Sequence, residues 1–216
     1  MKIGVLFDLD GTLLDSLADL TDSVNYTMDQ YNLPHRTIAE VRSFVGTGAR
    51  NLVRLSLPGS ETDPPVDEAL EKYRAHYEKN SQNKTCPYDG VAQALAQVRQ
   101  AYPVAIVSNK PDYAVKVLCK NFFGDVYALG EKPSVPRKPA PDMLMQAMAD
   151  LGIDKCIYVG DSDVDVKTAQ NTGVPCLSVL WGFRDKQDLL AAGATHFCDD
   201  TARLADAITQ LIKESF

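Results

Sequence analysis

Apolar residues fall into two patterns along this chain. Unbroken runs rich in Val, Ile and Leu occupy 3–7, 104–107, 157–159 and 176–180, with a weaker run at 126–129. Each run gives way to polar or glycine residues and then to helical spacing. Short apolar runs of this kind predict buried strands. Strands that alternate with helices predict crossover units, hence a Rossmann-like α/β fold whose parallel sheet is covered by helices on both faces. A last segment, 195–198, reads as an edge strand.

The alternation fails between about 15 and 83, where no strand pattern occurs. Leu17, Leu20, Val24, Met28 and Tyr31 recur at three- and four-residue spacing, predicting a helix. Thr37 and Glu40 form a capping-box signature ahead of Val41, Phe44 and Val45, and Gly46 is placed to stop that helix. Pro58–Gly59 and Pro64–Pro65 bracket a loop before a further helical stretch at 66–78. The expected organisation is an α/β core from 1–14 and 84–216, interrupted by a small all-helical insert at 15–83.

Composition changes this picture mainly by exclusion. At 216 residues, 45% hydrophobic and 24% charged, the chain has enough apolar content for an ordinary core and too much for disorder. No apolar run approaches the length of a membrane span, and the first ten residues lack the plan of a secretory signal. A net charge of −7, with no concentration of Lys and Arg, makes nucleic acid a poor partner. Five scattered cysteines without a C-x-x-C pair suit reduced thiols and a cytoplasmic location. Three well-separated histidines show no metal-ligand spacing.

The candidate chemistry lies where the strands end. In an open parallel sheet, ligands gather outside the carboxyl ends of the strands, so the residues following each run converge. Here these are Asp8 and Asp10, Ser108 and Asn109, and Asp161 with Asp163 and Asp165; Lys138 comes from a proline-rich loop. Converging carboxylates repel one another unless a cation sits among them, and an oxygen-only set suits Mg²⁺.

Four ordered motifs carry a resemblance that spans essentially the whole chain. They are Asp8-Leu9-Asp10-Gly11-Thr12-Leu13, Ser108-Asn109-Lys110, Lys138-Pro139, and Gly160-Asp161-Ser162-Asp163-Val164-Asp165. Together they resemble the haloacid dehalogenase superfamily, and the helical insert straight after the first motif looks like the small cap of its phosphoglycolate phosphatase-like group. The resemblance implies a phosphatase in which Asp8 attacks phosphorus and Asp10 serves as acid and then base. It implies that Ser108 and Lys138 hold the phosphoryl oxygens, that Gly11, Thr12 and Asn109 line the substrate site, and that Asp165 steers Lys138 or a metal-bound water. Mg²⁺ is expected on Asp8, the Asp10 main-chain carbonyl and Asp161. Phosphoglycolate is the leading substrate among small phosphorylated metabolites. A pyrophosphatase, a nucleotidase or a phosphosugar mutase would use the same machinery, and a non-catalytic phosphate binder would keep the pocket without turnover.

Plainer explanations compete at several positions. Asp163 reads best as a helix cap. Asp161, Asp163 and Asp165 imitate the start of a calcium loop, but Val166 and Thr172 stand where glycine and glutamate are required. Gly46-Thr47-Gly48-Ala49-Arg50 resembles a phosphate loop yet follows a helix, which excludes a dinucleotide fingerprint. If that loop tips over the site, Arg50 is placed to meet a substrate carboxylate. Trp181 reads as packing.

Overall fold

A computed structural model describes residues 1–59 and 63–216; the centre of the loop expected between Gly59 and Pro64 lies outside the described residues. Six parallel strands form the main sheet: β1 (Ile3–Phe7), β4 (Val104–Pro111), β5 (Tyr127–Glu131), β6 (Lys155–Gly160), β7 (Cys176–Val179) and β8 (His196–Cys198). Their order is β5-β4-β1-β6-β7-β8, so β1 is central and β8 is an edge. β1 pairs with β4 and β6 in parallel register, Phe7 lying opposite Ile106 on one side and Val159 on the other.

Alternation along each strand divides the core into two layers. Val5 and Phe7 of β1 face a cluster that includes α5 (Val91–Ala101), α6 (Asp112–Phe123) and α10 (Leu204–Ser215). Leu6 faces the opposite layer, with Met143, Leu144 and Ala147 of α7 (Asp142–Leu151) and Ala169 of α8 (Asp163–Thr172). Both faces are covered, which is why these strands have no polar side to betray their period.

Between β1 and α5 lie four helices: α1 (Leu17–Asp29), α2 (Ile38–Phe44), α3 (Ala49–Ser56) and α4 (Val66–Asn80). They bury an apolar cluster apart from the two sheet layers, built on Leu20, Val24, Met28, Val41, Leu52, Val53, Leu70, Tyr73 and Tyr77, which Ala114 of α6 joins. The capping box of α2 forms as the Thr37/Glu40 spacing predicts. Gly46, at φ +123°, directly follows the residue that ends this helix.

The chain leaves and re-enters the sheet region through a ribbon absent from the sequence expectation. β2 (Leu14–Asp15) pairs antiparallel with β3 (Cys86–Pro87), two residues each, too short to leave a periodic signal. Asp19, fully buried, accepts hydrogen bonds from the Lys84 and Thr85 backbone N–H groups and the Thr85 hydroxyl, tying the returning chain to α1. Across the sheet edge, Arg184 donates to the carbonyls of Arg42 and Val45 at the carboxyl end of α2, where the helix dipole favours a cation. Arg42 returns a bond to the Gly182 carbonyl. These contacts hold the helices over the ends of β1, β4 and β6. Among the described residues, no helix is long and apolar enough to cross a membrane.

Candidate active site

Asp8 follows the last residue of β1, and its N–H donates to the Val159 carbonyl of β6 at 2.8 Å. That bond extends the sheet by one residue and fixes the carboxylate at the sheet's carboxyl edge. Lys138 Nζ lies 2.7 Å from Asp8 Oδ1, 2.7 Å from the Tyr158 hydroxyl and 2.8 Å from Asp165 Oδ1. All three ammonium donors are therefore used. The lysine is only 3% exposed, so this set is a desolvated charge network rather than a surface pair.

Asp161, 1% exposed, makes no ion pair among the described residues. Its partners are the Thr12 hydroxyl at 2.9 Å and the Phe183 N–H at 2.8 Å. Two glycines make room for it: a Cβ on Gly11 would sit 2.3 Å from Asp161 Oδ2, and one on Gly182 would sit 2.3 Å from Asp161 Cβ. Gly11 also has φ +84°, which side chains avoid.

Three buried carboxylates, Asp8, Asp161 and Asp165, each offer an oxygen within 4.8 Å of the others. Asp165 is already committed: Oδ1 accepts from Lys138 and Tyr158, and Oδ2 from the Ser162 N–H and hydroxyl. Burial works against its charge, but Lys138 together with the hydrogen bonds from Ser162 and Tyr158 outweighs it and holds this carboxyl below the ordinary aspartate range. Burial also disfavours the Lys138 ammonium, and Asp165 with Asp8 pushes it the other way, above the usual lysine value. Burial, partly offset by Lys138, raises Asp8 to about 7. Burial, then the fields of Asp165 and Asp8, raises Asp161 to about 8. An under-neutralised pair of buried acids with only oxygen donors around it fits a hard divalent cation, and Asp8 and Asp161 are the side chains free to hold one.

A stability prediction follows from the two raised values. In chelator-treated protein the folded state keeps protons on Asp8 and Asp161 that the unfolded chain has already lost above about pH 4. Folding stability is therefore expected to fall as pH rises from about 5 to 8, and a divalent cation should flatten the slope. Calorimetry with and without chelator tests this; a metal-free melting temperature that climbs over that range refutes it.

Asp10 lies apart from this cluster. Its carboxylate accepts from Lys110 Nζ at 2.7 and 2.8 Å and from the Ser16 hydroxyl at 2.5 Å. Asp8, Asp10, Ser108, Lys138 and Asp161 all line one cavity of about 50 Å³ beneath the helices.

Other candidate residues are committed to structural contacts. The Thr12 hydroxyl is buried on Asp161, fixing the loop after β1, and Gly11 clears space for that same carboxylate. Asn109 does line the cavity, but its amide is spent as a brace, donating to the Gly46 and Lys138 carbonyls and accepting from the Lys138 N–H. Arg50 is not at the site. α3 buries Ala49, Leu52, Val53 and Ser56, which turns position 50 outward, where its guanidinium pairs with Asp67 at 2.9 Å. The cap of α8 is Ser162, boxed with Asp165, while Asp163 pairs with Lys167. Trp181 packs on the core as expected and also donates to the Thr12 carbonyl.

Tyr158, which accepts from Lys138, and Lys110, which donates to Asp10, had no role assigned from sequence. Tyr158 is a polar-tipped side chain among the buried residues of β6, and Lys110 closes the Ser108-Asn109-Lys110 motif at the end of β4.

The family model for haloacid dehalogenase-like hydrolases matches residues 5–179. The phosphoglycolate phosphatase of Xanthomonas campestris pv. campestris is 34% identical over 189 residues, covering 83% of this chain and 84% of the relative. That of Psychrobacter arcticus is 32% identical over 217 residues, covering 94% of each. A solved structure from Lactobacillus delbrueckii subsp. bulgaricus superposes with a TM-score of 0.86 at 36% identity, over 95% of this chain and 97% of that one. The chain belongs to the haloacid dehalogenase-like hydrolases, as a phosphatase of the phosphoglycolate phosphatase-like group.

Proposed function

We propose that the chain is a Mg²⁺-dependent, cytoplasmic phosphomonoesterase that hydrolyses a small phosphorylated metabolite, phosphoglycolate first among them, through an aspartyl phosphate on Asp8. The observation that carries this reading is the Asp8 carboxylate, buried on a cavity floor with Lys138 on one oxygen, Asp161 beside it and Asp10 on the wall of the same cavity. Residues 1–14 and 84–216 form the catalytic core, and 15–83 act as a cap. The cap's separate apolar cluster and its entry through the β2–β3 ribbon support that division.

In the first step an Asp8 oxygen forms a bond to phosphorus as the ester P–O bond breaks. Asp10 gives a proton to the departing alkoxide. In the second step Asp10 takes a proton from water, whose oxygen bonds to phosphorus while the Asp8–phosphorus bond breaks, releasing inorganic phosphate. Lys138 and Ser108 hold phosphoryl oxygens, and Asp165 with Tyr158 orients Lys138. Asp8, Asp161 and the Asp10 carbonyl would hold Mg²⁺, which supplies charge neutralisation for the transferring group. The helices above exclude bulk water.

Phosphate release from phosphoglycolate tests the proposal. Turnover is expected with Mg²⁺, loss of at least about 10²-fold with chelator, and recovery when Mg²⁺ is restored. A positional isomer without free phosphate would indicate a mutase. Tight binding without release, across a panel of small phosphate esters, would indicate a binder and overturn the reading.

A further inference from the structure

Above the acidic floor, Leu20, Leu52, Tyr73 and Tyr77 form a roof of helix side chains to which the proposed chemistry gives no role. Tyr77 is 2% exposed, and its hydroxyl is buried with no hydrogen-bond partner among the described residues. Native proteins seldom leave a buried hydroxyl unpaired, because its desolvation is then uncompensated. Tyr31 and Ser178 carry the other such hydroxyls among the described residues, but neither lines the cavity.

The position of Tyr77 says which part of a ligand it meets. Lys110 Nζ stands 4.8 Å from the centre of the Tyr77 ring and 2.7 Å from Asp10. Asp10 is the group assigned to the leaving oxygen, so atoms attached beyond that oxygen run toward Tyr77. Burial holds the phenol protonated, so it presents a donor. The cavity is small, about 50 Å³, which favours a ligand whose organic part is short.

We propose that Tyr77 is the specificity residue of the site, donating a hydrogen bond to a carboxylate or carbonyl oxygen that the substrate carries close to its ester oxygen. The ligand class is the phosphate ester of a small hydroxy acid or hydroxycarbonyl compound. Lys110, shared between Tyr77 and Asp10, adds a positive field for the same acceptor. This inference rests on the phosphatase reading above and adds the residue that distinguishes such esters from plain alkyl phosphates.

The test compares phosphoglycolate with ethyl phosphate, which is of similar size and lacks the acceptor. In wild type, kcat/KM is expected to favour phosphoglycolate. Tyr77→Phe should lower that preference by about 10-fold or more, chiefly by raising KM for phosphoglycolate. Tyr31→Phe, which removes another orphan hydroxyl away from the cavity, should leave the preference unchanged. The assignment is overturned if Tyr77→Phe keeps the wild-type preference, if it slows both esters equally, or if Tyr31→Phe has the same effect. Wild-type protein that releases phosphate from neither ester sinks the phosphatase reading itself, a result distinct from those three.

Discussion

Asp8→Asn is expected to lower the rate of phosphate release by at least about 10⁴-fold and to leave the protein as stable as wild type, or more so. The substitution changes almost no volume, and the amide oxygen can still accept the bond that Lys138 makes to Oδ1 at 2.7 Å. What disappears is an anionic oxygen able to form a bond to phosphorus. Phosphate monoester hydrolysis needs up to roughly 10²¹-fold acceleration, about 28 kcal/mol, and a general acid such as Asp10 supplies only about 10² to 10⁴ of it. The remainder depends on a nucleophile held in line and on fixed charge around the transferring group. Stability should not suffer, because burial already holds the Asp8 carboxyl at about 7. Replacing an acid that is strained when ionised by a neutral group removes repulsion against Asp161 and Asp165. Steady-state kinetics and thermal melts on the same preparation decide the matter. Turnover within 10-fold of wild type would remove Asp8 from the nucleophile's place.

Much of this architecture is legible in the chain because the parallel core imposes a coarse pattern. The apolar runs at β1, β4, β6 and β7 must be apolar on both faces, and the residues after them must converge at one edge. Asp8, Ser108, Lys138 and Asp161 do meet in one cavity. What escapes is whatever depends on rotation or on pairing between distant segments. Arg50 sits in a glycine-flanked stretch that suggests a ligand loop, yet the turn of α3 about its axis sends it to solvent. Thr12 and Asn109 belong to the right motifs but spend their polar groups on Asp161 and on the Lys138 backbone. Tyr158 hides in the opposite way: in a run of apolar residues it passes for core, and only its hydroxyl, 2.7 Å from Lys138 Nζ, shows its part in the network. The β2–β3 ribbon is set by a pairing across the whole helical insert, which no local window contains.

Lys138→Met should unfold more readily than any other single change at the site and should abolish turnover. The ammonium lies between Asp8 and Asp165, both buried, and donates to each as well as to Tyr158. Removing one partner of a buried ion pair leaves an uncompensated charge, at a cost of about 3–5 kcal/mol. The loss should shrink at low pH, where Asp8 and Asp165 take up protons, so the variant's stability deficit is expected to be smaller at pH 5 than at pH 8. Lys138→Arg separates charge from shape. It restores the positive charge, but a planar fork cannot reproduce three short bonds from one tetrahedral nitrogen in a site that is 3% exposed. Arginine should therefore recover part of the stability and little of the turnover. The double variant Lys138→Met/Asp165→Asn completes the test, because the neutral amide no longer needs the lysine and can still accept from the Ser162 N–H in the α8 cap. It should regain stability over Lys138→Met while remaining inactive. If Lys138→Met melts like wild type, the ion network is not holding this edge of the sheet together. If the double variant regains turnover, Lys138 has no direct part in handling the phosphoryl group.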